Sequence, residues 1–87
     1  MPRIKKAIQR MFIITQCIEE RPRSKNAIRD VVERRLGDRV CNSTIEKDLF
    51  ILKEEFDAPI KYERGNDIYY MAEKYSFAHA MINWMDV

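Results

Sequence analysis

Side chains suited to contacts with nucleic acid are concentrated in one short stretch of this 87-residue chain. The stretch lies at the start of a predicted third helix and comprises Asn42, Ser43, Thr44, Glu46 and Lys47. Such groups donate to or accept from base edges in a groove, and lysine also neutralises phosphate. The pattern predicts base contacts here, first from Lys47 and Ser43, which lie opposite the apolar stripe of that helix.

Two further groups have the chemistry for phosphate contacts. One begins a predicted second helix and the other lies on a predicted hairpin; they are Ser24, Lys25 and Asn26, and Lys61 and Arg64. Helix N-termini and basic side chains bind phosphate, which positions a protein on DNA without reading its sequence. Structural explanations compete with these roles, because Ser24 suits a helix cap and Glu46 suits pairing with a lysine.

The chain shows no pattern typical of an enzyme. Its single histidine, His79, has no metal-ligand spacing to Cys17 or Cys41, and no nucleophile elbow or phosphate loop is present. We therefore expect a binding protein without metal or cofactor, with both cysteines reduced and semi-buried. The longest apolar run, residues 11–14, is far too short for a membrane span, so a cytoplasmic protein is predicted.

The charge is divided unevenly, although the net charge is only +2. Residues 1–40 hold eleven Lys and Arg against five Asp and Glu, a net +6, whereas residues 41–87 hold five against nine, a net −4. Such asymmetry favours a polyanionic partner for one face, although an Arg-rich solvated surface would give the same count.

Apolar residues repeat at helical spacing in three segments and alternate in a fourth. The first helix, from Arg3 to about Glu20, has a stripe of Ile4, Ile8, Met11, Phe12, Thr15 and Ile18. The second runs from a Ser24 cap to Gly37, and the third, capped by Asn42 or Ser43, buries Ile45, Leu49, Leu52 and Phe56. Residues 60–63 and 68–71 alternate around a turn, which predicts a β-hairpin.

Three helices and a hairpin predict a mainly α fold with a small β-hairpin (α+β), a winged helix-turn-helix with its third helix in the DNA major groove. Asp48 flanks the buried stripe, where we expect it to anchor an arginine of the second helix such as Arg35. In the hairpin, Tyr62, Tyr69 and Tyr70 are expected to pack rather than to stack on bases. Because Ile68 and Tyr70 share one face, at most Tyr69 is expected to be freely presented.

The stretch from Val40 to Leu49, with Leu52, Phe56, Ala58-Pro59-Ile60 and Tyr69-Tyr70, resembles the winged-helix domain that begins WYL-domain transcriptional regulators. The resemblance covers about residues 3–71. It implies sequence-specific binding of double-stranded DNA, transcription regulation, and an effector bound by a following domain that this chain does not contain. Cys41, Ser43, Lys47 and Ile68 replace the family's serine, two arginines and glycine, so the third helix is less basic than the family pattern.

A winged helix used for protein–protein interaction or dimerisation is the alternative. It is motivated by the near-neutral charge, the acidic second half, and Phe50 and Ile51 on the face that would enter the groove.

Residues 1–71 are predicted to form the DNA-binding domain, and residues 72–87 a helical tail or a linker to a missing effector domain. Apolar residues at helical steps predict a helix over residues 75–85. Two roles fit this apolar tail. It could join two chains into a homodimer that matches two operator half-sites, or it could be a disordered end whose apolar residues pack on the missing following domain.

Overall fold

The computed structural model describes the backbone of residues 2–85 and the side chains of residues 5–85. Within that range the elements, in chain order, are α1 Pro2–Glu20, α2 Lys25–Leu36, α3 Asn42–Glu55, β1 Ile60–Glu63, β2 Ile68–Met71 and α4 Phe77–Met85. This order confirms the mainly helical α+β fold with a winged-helix layout. The side chain of Ile4 and the last two residues of the predicted tail lie outside the described residues. No helix in the described range is long and apolar enough to cross a membrane.

The first helix, α1, forms the centre of the fold. Met11, Thr15 and Ile18 of its predicted stripe are buried, but Phe12 is 37% exposed. Three residues outside that stripe are buried as well: Ile13, Ile14 and Cys17. The single-stripe prediction was incomplete because α1 contacts α2, α3, β2 and α4, and a helix packed on several sides buries more than one face.

The ends of α2 follow the predicted capping chemistry. The Ser24 hydroxyl accepts a hydrogen bond from the Ala27 backbone N–H at 3.2 Å. At the other end Gly37 adopts a φ of 75°, the left-handed conformation that glycine enters without a steric cost. Its N–H donates to the Glu33 carbonyl at 2.8 Å, which closes the last turn.

The start of α3 differs from the prediction. Cys41, not Asn42 or Ser43, occupies the N-cap position, and it makes no side-chain capping hydrogen bond. Asn42 is instead the first residue of α3, and its amide oxygen accepts from the Arg29 guanidinium of α2 at 3.0 Å. Cys41 is exposed, so the prediction of two semi-buried cysteines was wrong for it, whereas Cys17 is buried; both are free thiols.

The buried side of α3 is the predicted one, except that Phe56 lies just beyond the helix and is half-buried. Ile45, Leu49 and Leu52 are buried against Ile28 and Val32 of α2 and the apolar residues of α1. Burial of this stripe fixes which side chains of α3 face outward, since residues on the opposite side of a helix are about half a turn away.

Asp48 has the structural role predicted for it, but its partner is different. The buried carboxylate accepts from Arg10 Nε at 2.6 Å and from Arg10 Nη2 at 3.2 Å, a two-point contact with α1. Arg35, the predicted partner, instead donates to Gln16 at 2.9 Å. The prediction was wrong because α3 packs on α1 as well as on α2, and the flank with Asp48 faces α1.

The hairpin is joined to the link between α1 and α2. Ile60 pairs with Met71 and Tyr62 with Tyr69, so these four side chains share one face. Backbone hydrogen bonds of 3.0 and 2.7 Å connect Arg23 and Tyr69, which adds a one-residue third strand. Tyr69 lies on the face of buried Ile60 and packs against the core, as expected for a hairpin that packs on helices. Tyr62 is 46% exposed, so the prediction that at most Tyr69 is freely presented was wrong.

The tail contains the predicted helix, α4, which starts at Phe77 and is preceded by Ser76, whose hydroxyl accepts from the His79 N–H at 3.1 Å. Phe77 is buried, and its ring contacts Phe12 edge-on at 4.8 Å and Phe56 at 5.2 Å between centroids. These contacts make the tail part of the same hydrophobic core as the three preceding helices.

Candidate nucleic-acid interface

The outer face of α3 presents only part of the predicted base-contacting set. Ser43, Glu46 and Lys47 are exposed, whereas Asn42 and Thr44 are half-buried. Asn42 is held by Arg29, so its amide oxygen is occupied, while its amide nitrogen makes no hydrogen bond among the described residues. Exposure of Ser43 and Lys47 near the helix N-terminus is the geometry by which a recognition helix reaches base edges.

Two apolar residues of this face behave differently from each other. Phe50 is 65% exposed, but Ile51 packs against the core and is half-buried. The prediction that both lie on the outer face was therefore wrong for Ile51. Position 51 follows buried Asp48 by three residues, so Ile51 lies beside Asp48 at the margin of the buried side of α3.

An ion pair connects the start of α2 to the outer face of α3. The Lys25 ammonium donates to the Glu46 carboxylate, and this hydrogen bond raises the pKa of Lys25. Glu46 therefore pairs with a lysine, as the structural alternative to base contact predicted for it. The negative charge of Asp67 adds to the same effect on the pKa of Lys25.

The other residues at the start of α2 have separate roles. The Ser24 hydroxyl is used by the cap, as the structural explanation of this residue requires. Asn26 is exposed and makes no side-chain hydrogen bond within the described range. Two residues before Lys25, the Arg23–Tyr69 bridge fixes the start of α2 relative to β2.

The hairpin presents its predicted cations to solvent, and residues 61–67 are all exposed. Its two acidic side chains are engaged locally: Asp67 accepts from the Tyr62 hydroxyl, and Glu63 accepts from the Asn66 amide. The hydrogen bond to Asp67 raises the pKa of Tyr62. Lys61 and Arg64 are not hydrogen-bonded to α3 in the part of the chain that the structure describes.

Four cations of α3 and the hairpin are not engaged in ion pairs. Within residues 5–85 these are Lys47, Lys53, Lys61 and Arg64, of which Lys53 lies in the last turn of α3. The nearby carboxylates of Glu46, Glu63 and Asp67 each accept a hydrogen bond from a neighbour. Hydrogen bonds from the neutral Tyr62 and Asn66 leave the charges of Asp67 and Glu63 in place, so the hairpin offers two exposed cations but carries no net charge.

Arg29 is a contributor that sequence reasoning missed. It donates to Asn42 and lies 3.6 Å from the Asp30 carboxylate, while its buried Nε has no hydrogen-bond partner among the described residues. A signal existed, since Arg29 follows Lys25 by four residues and so lies on the same face of α2. It positions Asn42 at the start of α3.

The described residues contain no group of three His, Cys, Asp or Glu side chains placed to hold a metal ion. Comparisons of the chain with protein families, with curated proteins and with solved structures found no match.

Proposed function

We propose that this chain is the sequence-specific, double-stranded-DNA-binding module of a transcriptional regulator, with α3 in the major groove and the hairpin on the DNA backbone. The observation that carries the proposal is that an exposed cation without an ion pair, Lys47, lies on the outer face of α3 near its start, and that two more, Lys61 and Arg64, lie on the hairpin. Each lies where a winged helix contacts DNA. Phosphate is the natural ligand for such lysine and arginine side chains.

In this proposal Lys47 and Ser43 read base edges, with the Asn42 amide and the Thr44 hydroxyl at the margin of the contact. Lys25, Asn26, Lys61 and Arg64 contact phosphates and set the position of α3. Glu46 holds Lys25 over α3 before DNA binds. A lysine ammonium has three donors, so Lys25 can keep this carboxylate while it also binds a phosphate.

The resemblance to WYL-domain regulators supports the same proposal. In that setting an effector acts through a separate following domain, and the module itself needs no cofactor and catalyses no reaction. We propose the cytoplasm as the site of action.

Replacing Lys47 with alanine tests the proposal. We expect Lys47→Ala to weaken binding to the promoter of its own operon by about tenfold, because one base-edge contact contributes about 1–3 kcal/mol. Lys53→Ala removes an equal charge from the last turn of α3 and is the matched control, with an expected change below about twofold. Mobility shifts measure both, and equal losses in the two variants would reject a specific role for Lys47.

A second candidate function is protein–protein interaction, favoured by one specific observation. The Phe50 ring is 65% exposed in the middle of the outer face of α3, where an apolar side chain suits the core of a protein interface. Absence of duplex binding at low salt, together with retention of the fold, would favour this function over DNA binding.

We further propose that α4 joins two copies of the chain, which would match paired operator half-sites. Ile82 and Met85, near the end of α4, are 65% and 68% exposed. Sedimentation of the intact chain should show a dimer at micromolar concentration, and Ile82→Glu combined with Met85→Glu should give monomers, since charges at an apolar seam oppose association. A monomer before substitution would reject the α4 dimer.

A further inference from the structure

A cleft rich in arginine lies between α1 and α2, away from the residues assigned to DNA contact. It encloses about 320 Å³ and is lined by the end of α1, the link after it, and the second half of α2. Four arginines line it, Arg21, Arg23, Arg34 and Arg35, and Glu20 is the one acidic residue of its lining. None of the ten residues assigned to base or phosphate contact belongs to this lining.

Hydrogen bonds hold three of these arginines in place. Arg23 donates from Nε to the Cys17 carbonyl and from Nη2 to Glu20, both at 2.9 Å. Arg35 donates to the Gln16 side chain at 2.9 Å, and Arg34 donates to the Asp30 carbonyl at 3.4 Å. Each guanidinium has five N–H donors, so most donors of the cleft remain available for a ligand. Pre-positioned side chains reduce the entropy lost on binding.

The lining of the cleft carries more positive than negative charge, with four arginines and one glutamate. Glu20 neutralises Arg23, but the cationic groups of Arg21, Arg34 and Arg35 have no ion pair within the described residues. Like charges that face one cleft repel each other, and an anion bound between them removes that repulsion. Cys17, which also lines the cleft, does not supply a compensating negative charge. Burial raises the pKa of its thiol to about 11 and keeps the thiol neutral.

We propose that this cleft binds a small molecule that carries a di- or triphosphate group. Three uncompensated arginines match the charge of such a group better than that of a single carboxylate, and planar guanidinium forks bind phosphate oxygens in pairs. The volume lies at the lower end of the range for ligand pockets, which suits a compact group. This proposed site shares no residue with the proposed DNA contacts, so the two proposals can be tested separately.

Calorimetric titration of the 87-residue chain with pyrophosphate at low salt tests the site. We expect saturable binding of one pyrophosphate per chain, with inorganic monophosphate weaker by about tenfold because it offers fewer charges and oxygens. Arg21→Gln combined with Arg34→Gln should weaken pyrophosphate binding by at least about tenfold. Both residues are exposed, so the fold should survive, and thermal melting checks this.

Arg39→Gln combined with Lys53→Gln is the matched control, because it removes the same two positive charges from exposed positions outside the cleft. We expect it to change the affinity for pyrophosphate by less than about twofold. An equal loss in the control, or no binding at about 10 mM pyrophosphate, would overturn the site. If the cleft variant loses duplex DNA affinity as strongly as pyrophosphate affinity, the DNA backbone is the occupant and the small-molecule proposal is wrong.

Discussion

Asp48→Ala is expected to lower the free energy of unfolding by about 3–5 kcal/mol, because it leaves the Arg10 guanidinium largely buried without its counter-charge. The Arg10 side chain is 19% exposed and that of Asp48 is 3% exposed, so water cannot fully replace the lost carboxylate. The two hydrogen bonds also connect α1 to α3 and fix the orientation of the outer face of α3. Chemical denaturation with far-UV circular dichroism measures the change.

The ion pair between Lys6 and Asp38 supplies the control, since its 2.5 Å separation is close to the 2.6 Å of the Arg10–Asp48 pair. Its side chains are 58% and 50% exposed, and we expect Asp38→Ala to cost less than about 1 kcal/mol. Burial, rather than distance, accounts for the contrast. Similar losses in the two variants would show that Asp48 does not have the buried role assigned to it.

Phe77→Ala is expected to lower the free energy of unfolding by about 3–5 kcal/mol, the usual cost of emptying a buried aromatic site. The Phe77 ring is 3% exposed and contacts Phe12 of α1 and Phe56 at the end of α3. Its loss removes apolar contacts on both sides and leaves a cavity in the core. Thermal and chemical denaturation should both report the loss.

Met85, at the end of the same helix, is 68% exposed and provides the control. At dilutions at which the chain is monomeric, Met85→Ala should change the free energy of unfolding by no more than about 0.5 kcal/mol. A small effect of Phe77→Ala, comparable to that of Met85→Ala, would contradict the finding that α4 belongs to the core and would restore the description of residues 72–87 as a mere linker.

Local features of the fold could be predicted from the sequence because local chemistry determines them. The Ser24 cap, the left-handed Gly37 and the alternating hairpin strands each depend on a few neighbouring residues. The α3 stripe could also be predicted, since α3 buries one main face. These elements determine that Lys47 faces outward.

Features that depend on tertiary packing could not be predicted in the same way. Asp48 was expected on a buried flank, but periodicity does not identify the helix that faces that flank, so Arg10 was missed. The Arg23–Tyr69 bridge joins residues 46 positions apart, and a single extended residue leaves no periodic signal. That bridge, with the pairing of Tyr62 and Tyr69, decides which side of the hairpin meets the core.

The candidate site divides in the same way. The exposure of Ser43 and Lys47 could be predicted from the position of the apolar stripe. The hydrogen bonds from Arg29 to Asn42 and from Lys25 to Glu46 could not, because they depend on how α2 and α3 pack together. The sequence identified lysine as a suitable partner for Glu46 but could not say which lysine. The arginine cleft is likewise formed only when α1 and α2 pack together, and its residues are dispersed over positions 16–35.

The salt dependence of duplex binding, measured for the native chain and for Arg64→Ala, tests the central claim of DNA binding most directly. We expect the logarithm of the binding constant to fall linearly with the logarithm of salt concentration, by about 0.9 for each phosphate contacted. Arg64→Ala should reduce that slope by about 1 and weaken binding to all duplex sequences alike, because Arg64 contacts the backbone. Duplex affinity that is independent of salt, or a slope unchanged by Arg64→Ala, would contradict the proposed docking of the hairpin on DNA.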